Sequence, residues 1–147
     1  MKFDIEALEQ STNTTFDVIV GHKDGGKDGE GKPVQGDPVG FKVLGPGSDQ
    51  YNKVERDIQI LNIKEANSRK VPVDMKTDEG AAVAVDGGDA RRDLVIFACT
   101  VGWFGFESAG QPAEFSRENL ARVLKARPNW ARRLLNAIEN EANFEGA

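Results

Sequence analysis

His22 and Cys99 are the only imidazole and the only thiol in the chain, so any nucleophile–base pair or soft-metal site would depend on these two residues. Cys99 closes the most apolar run of the sequence, Leu94-Val95-Ile96-Phe97-Ala98-Cys99. Burial there raises a thiol pKa and suppresses its reactivity. His22 stands at the edge of a glycine-rich stretch, a poor mount for a rigidly oriented base. No Gly-x-Ser-x-Gly element occurs. Asp24, Asp28 and Glu30 could offer hard oxygens to a calcium ion, but they lack the spacing of the twelve-residue calcium loop. Three lysines in the same stretch also oppose a cation. Gly45-Pro46-Gly47-Ser48-Asp49 separates a strand signal from a helix signal, a position where a phosphate can dock. It has neither the Lys-Ser/Thr pair of a P-loop nor the third glycine of a dinucleotide fingerprint, and its proline removes a backbone donor. A structural turn is expected there. The reading is of a non-enzymatic chain with no catalytic residue, no cofactor and no metal.

Two constellations remain. Between Arg117 and Arg133 lie six basic residues (Arg117, Arg122, Lys125, Arg127, Arg132, Arg133) and one acid, Glu118, within a chain of net charge -5. Such a run could hold phosphates, yet the overall acidity argues against nucleic acid as a partner. Trp103, Phe104, Phe106, Phe115 and Trp130 make up five of the eleven aromatics. They can knit the last elements into a core, and surface that stays open can grip a partner segment.

The elements that would position these groups are read from periodicity. Phe16–Val20 and Val39–Leu44 predict two antiparallel strands, and Gly21 to Pro38, with six glycines, predicts a mobile tip between them. Ser48 or Asp49 is the expected cap of a helix over about 49–69, striped by Tyr51, Val54, Ile58, Leu61 and Glu65, with Ile60 and Ile63 beside the stripe. Loop punctuation at Thr77–Gly80 and Asp86–Asp89 predicts a variable loop over 74–89, in which the apolar Ala81–Val85 suits either a short strand or a helical turn. A third element, read as a helix, runs from about 90 to Val101, although Leu94–Phe97 alone would suit a buried strand. Ser116 is expected to cap a helix carrying Leu120, Val123 and Leu124 that ends at Pro128. A last helix is striped by Trp130, Leu134, Leu135 and Ile138. The fold class expected is α+β: an N-terminal antiparallel β-hairpin with a long glycine-rich loop, then a mostly α-helical remainder.

A chain of 147 residues is expected to form one domain over 1–147, with a hairpin region at 15–44 and a helical C-terminal region at 90–144. The charged start Met1-Lys2-Phe3-Asp4-Ile5-Glu6 does not read as a targeting signal, and the longest apolar run is far short of the ~20 residues that span a bilayer. A free cysteine fits a reducing compartment, so a soluble, cytoplasmic protein with no membrane partner is expected.

The order Val101-Gly102-Trp103-Phe104-Gly105-Phe106, Gly110-Gln111-Pro112-Ala113-Glu114-Phe115-Ser116, Glu118-Asn119, Pro128-Asn129-Trp130, Ile138 and Ala142-Asn143-Phe144 resembles the tail assembly chaperones of long-tailed, non-contractile bacteriophages and prophages. The resemblance covers roughly the last 45 residues. It implies a protein of the host bacterial cytoplasm that coats the tape measure protein and keeps it soluble until tail tube protein polymerises around it. The family supplies no catalytic residues. On physical grounds the partner-binding residues expected are Trp103, Phe104, Phe106, Phe115, Leu120, Leu124, Trp130, Leu134 and Ile138. Many copies on one long client would gain by avidity, so homo-oligomerisation is expected as well. The alternative class is a structural virion protein, a tail tube or tail-completion subunit.

Overall fold

Alternating β-branched and aromatic residues at Phe16–Val20 and Val39–Val43 nucleate a strand pair whose inner face carries Val18, Phe41 and Val43, all buried. The computed structural model describes residues 4–68 and 76–145. After a short helix α1 (Ile5–Ser11), strand β1 (Phe16–Lys27) pairs antiparallel with β2 (Pro33–Val43). Helix α2 (Asp49–Ser68) follows, then α3 (Asp78–Cys99), which runs directly into β3 (Thr100–Phe104). A small hairpin, β4 (Glu107–Ser108) and β5 (Gln111–Pro112), precedes α4 (Arg117–Ala126), α5 (Pro128–Glu139) and a closing 3-10 turn over Glu141–Phe144. The sheet order is β1-β2-β3, antiparallel throughout. The architecture is α+β, with the N-terminal hairpin followed by a mostly helical remainder.

One face of this sheet packs against α5, which in turn packs on α3, and α3 on α2. Phe41, Ile96, Leu120, Leu134 and Ile138 are the largest fully buried side chains. Each such residue contributes about 1.5–3 kcal/mol of burial. The caps follow from the sequence. Ser48 Oγ accepts from Tyr51 N–H (3.2 Å) and donates to Gly45 O (2.7 Å). Ser116 Oγ accepts from Asn119 N–H (3.1 Å), and Pro128 opens α5 where its missing donor costs nothing.

Three expectations are corrected. Residues 21–38 are not a loose tip: the ladder continues out to Lys27↔Pro33, leaving only a short turn. Glycine makes this ribbon feasible, because a Cβ on Gly25 would lie 2.7 Å from Val34 O and one on Gly36 would lie 2.6 Å from Lys23 O. Asp28 shapes the turn, its Oδ1 accepting from Glu30 N–H (2.8 Å) and Lys32 N–H (2.9 Å). Residues 78–89 are not a variable loop but the first half of α3, whose helical ladder carries through Gly87-Gly88; residues 69 and 74–75 lie outside the described residues. The stretch 90–144 is not helical throughout. Helix α3 stops at Cys99, and Thr100–Phe104 pairs with β2 as the third strand, because Trp103 gains a buried partner in Phe41 across the sheet.

Candidate functional site

The aromatic residues separate by strand alternation. Trp103 stands opposite Phe41 on the inner face, with ring centroids 6.4 Å apart. Phe106 bridges to both, 4.6 Å from Trp103 and 5.1 Å from Phe41. Phe115 meets Trp103 edge-on at 5.4 Å, and Trp130 meets Phe106 at 6.2 Å. Trp103 Nε1 donates to Ala113 O (3.0 Å), which ties β3 to the segment leading into α4. Phe104, one residue on, falls on the opposite face, where it packs over Gly40 and lies 5.5 Å from the Lys42 ammonium.

Gly105 is what lets the chain reverse between Phe104 and Phe106. Its φ is +86°, and a Cβ there would sit 2.8 Å from Val39 Cγ2. The β4–β5 turn uses the same left-handed region at Ala109 (φ 52°) and Gly110 (φ 78°), the pattern of a two-residue hairpin.

Of the nine partner-binding residues expected from the sequence, the structure brings Trp103, Phe106, Phe115 and Trp130 into one half-buried cluster. Leu120, Leu134 and Ile138 are fully buried against it, so in this conformation they support the core and present nothing to a partner. Leu124 is half-buried on the edge of the same core, and Phe104 stands apart. A cleft of ≈ 250 Å³ lies between the β4–β5 hairpin and α4, floored by Trp103, Phe106 and Val123 and rimmed by Asn119, Arg122 and Glu107.

Open apolar side chains occur elsewhere, among them Ile5, Ile19, Val34 and Val101 and, as the largest set, those of α2 and α3. Beyond the turn in which Arg91 joins Glu55 and Glu139 (3.4 Å to Glu139 Oε1), α2 and α3 continue as an arm in which Ile60 (41%), Leu61 (52%), Ile63 (61%) and Val85 (62%) remain exposed. Ile60 and Ile63 are the surplus apolar residues beside the α2 stripe, the one signal in the sequence that points to this surface. Val85 lies in a segment whose glycines and aspartates hid its helix.

Electrostatics favour structure over chemistry at these sites. Burial, with a smaller contribution from the Glu55 charge, pushes the Cys99 thiol up to about 12. Tyr51 is raised by burial and by the carboxylates of Glu139, to which its hydroxyl donates (3.3 Å), and Glu55. Burial alone would lower Arg91, but hydrogen bonds and charges from Glu139 and Glu55 outweigh it and hold the guanidinium above its ordinary range. Ser48 and the ring of Phe144 fill the Gly45–Asp49 turn, where a Cβ on Gly45 would lie 2.2 Å from the ring. The turn is a packing joint rather than a phosphate cradle. Among the described residues no three His, Cys, Asp or Glu side chains group to hold a metal, and no helix is long and apolar enough to cross a membrane. The basic run is partly committed to structure: Arg133 donates to Ile19 O (2.6 Å) at the β1 edge, and Arg117 lies 5.1 Å from the Phe97 ring centroid.

No family model matches the chain, and no curated protein or solved structure is significantly similar to it.

Proposed function

We propose that this chain is a non-enzymatic tail assembly chaperone that binds and solubilises the tape measure protein of a long-tailed phage or prophage, acting in the host cytoplasm. The observation that carries this reading is the arm: four aliphatic side chains held in water on two helices that also carry charged residues. A chaperone of extended apolar helices needs such a surface, and the charged residues between the aliphatics keep it soluble before the client arrives. The order of residues from Val101 to Phe144 supports the same reading. Its role is to build the aromatic end on which the arm is mounted, with the half-buried Trp103, Phe106 and Trp130 as a second contact area. Tail tube protein is a further partner in this reading. Co-expression with the neighbouring tape measure gene tests it. The client is expected to move from pellet to supernatant and to co-purify with the chain; an unchanged pellet with no complex overturns the reading.

The second reading, a tail tube or tail-completion subunit, is favoured by one feature. Strand β3 pairs with β2 only along Gly40–Val43, so the outer part of the β1–β2 hairpin projects as a two-stranded ribbon able to add strands to a neighbour. Finding the protein in purified mature particles would establish this class and remove the chaperone.

A further inference from the structure

The two helices of the arm carry opposite charge patterns around their exposed aliphatics. On α2, Arg56, Ile60, Ile63 and Lys64 follow at helical spacing on one face, and all four are exposed. On α3, Asp78, Ala82, Val85 and Asp89 recur at i, i+4, i+7 and i+11, again on one exposed face. One face is cationic around an aliphatic centre; the other is anionic at Asp78 beside Ala82 and Val85, and ends at Asp89, which Arg92 pairs one turn further on (3.6 Å). From Asp78 to Ala90 the sequence has four acids and no base. Within one copy the pairing between the helices is made by the opposite side of α2, where Glu55 meets Arg91 and Val54 and Ile58 are buried, so the Ile60/Ile63 face is not used.

We propose that a second copy of this chain covers these faces, the Arg56/Ile60/Ile63/Lys64 face of one arm seating against the Asp78/Ala82/Val85/Asp89 face of the other. Charge complementarity selects this occupant: each arm presents both members of the pair, so a second arm satisfies both. A two-helix arm that leaves its aliphatics in water gains by packing into a larger helical bundle. The contact is small beside the ~1,200–2,000 Å² of a stable interface, so the association is weak and salt-dependent. This pairing needs no client and does not depend on the chaperone reading; a client that binds the Ile60/Ile63 face competes with the second arm for it.

Sedimentation velocity of the intact chain over about 10–500 µM, at low salt and at about 0.5 M salt, measures it. Two surface variants supply the decisive test: Arg56→Glu with Lys64→Glu on α2, and Asp78→Lys with Asp89→Lys on α3. All four positions are exposed, and the one ion pair lost, Asp89 with Arg92, is a solvent-exposed pair that contributes little, so the unfolding temperature of each variant is expected to stay near that of the parent. The parent is expected to self-associate. Each variant alone is expected to associate at least about tenfold more weakly, and an equimolar mixture of the two is expected to recover association, because every contact in the mixed species is again between opposite charges. A parent that stays monomeric throughout at low salt overturns the proposal. So does association indifferent to both variants, and so does a mixture that fails to recover.

Discussion

The aromatic end and the helical arm of this molecule put their apolar side chains to opposite use. At the aromatic end, Phe41, Trp103, Phe106 and Trp130 meet ring to ring over Leu120 and Leu134, and the strand register, the positive φ at Gly105 and the Ser116 cap all converge on one packed arrangement. In the arm, Ile60, Ile63 and Val85 sit on regular helix but face water. Secondary structure is therefore the same in quality, while the packing that normally stabilises it is present in one region and absent in the other. The difference separates the part of the chain that specifies the fold from the part left available for a partner.

Substitutions should divide along that line. Leu134→Ala is expected to cost about 2–5 kcal/mol, since a fully buried Leu in a tight core leaves a cavity, and denaturant titration would measure it. A loss under about 1 kcal/mol would mean that the aromatic end is loosely packed. Gly105→Ala is expected to cost about 1–3 kcal/mol, through its left-handed backbone and the contact with Val39. Arg91→Ala, which breaks the junction between core and arm, is expected to cost on the order of 1 kcal/mol, because its partners are about one-third exposed, and less at high salt. Ile63→Ala in the arm should fall within about 0.5 kcal/mol of the parent.

Cys99 offers a pH readout of the same contrast. Its thiol titrates near 9 when unfolded and near 12 when folded, so between those values the unfolded chain has released a proton that the folded chain retains. Folding stability is therefore expected to decline as pH rises from 9 toward 12, and the parent should show a steeper decline than Cys99→Ala. Below pH 9 the thiol is neutral in both states and contributes no slope. Native Cys99 is also expected to resist thiol reagents at neutral pH until the aromatic end opens.

What could be read from the sequence follows the same division. The ends of the hairpin, helix α2 and the two C-terminal helices were legible, because caps such as Ser48 and Ser116 and stripes such as Trp130/Leu134/Ile138 are local signals of a buried face. The glycines of the ribbon were not, since Gly25 and Gly36 read as flexibility until the strands they bring close together are known. Helix α3 was hidden for a related reason: Gly87-Gly88 and its aspartates carry loop composition, and the helix is set in the molecule by its far end at Val95, Ile96 and Cys99. The strand at Thr100–Phe104 depends on pairing with Gly40–Val43, about sixty residues away in sequence, which no local pattern reports. The partner-binding residues expected from the C-terminal stripes were partly core for the reason that makes such stripes legible: a strong stripe is usually already buried.

In the proposed function the exposed aliphatics of the arm, rather than the buried C-terminal stripes, hold the client. Co-expressing the tape measure protein with the parent chain and with an Ile60→Asp/Ile63→Asp variant tests it most directly. The parent is expected to keep the client in the supernatant. The variant is expected to leave it in the pellet while remaining folded, with an unfolding temperature close to that of the parent. A folded variant that solubilises the client as well as the parent does would show that the arm does not hold it.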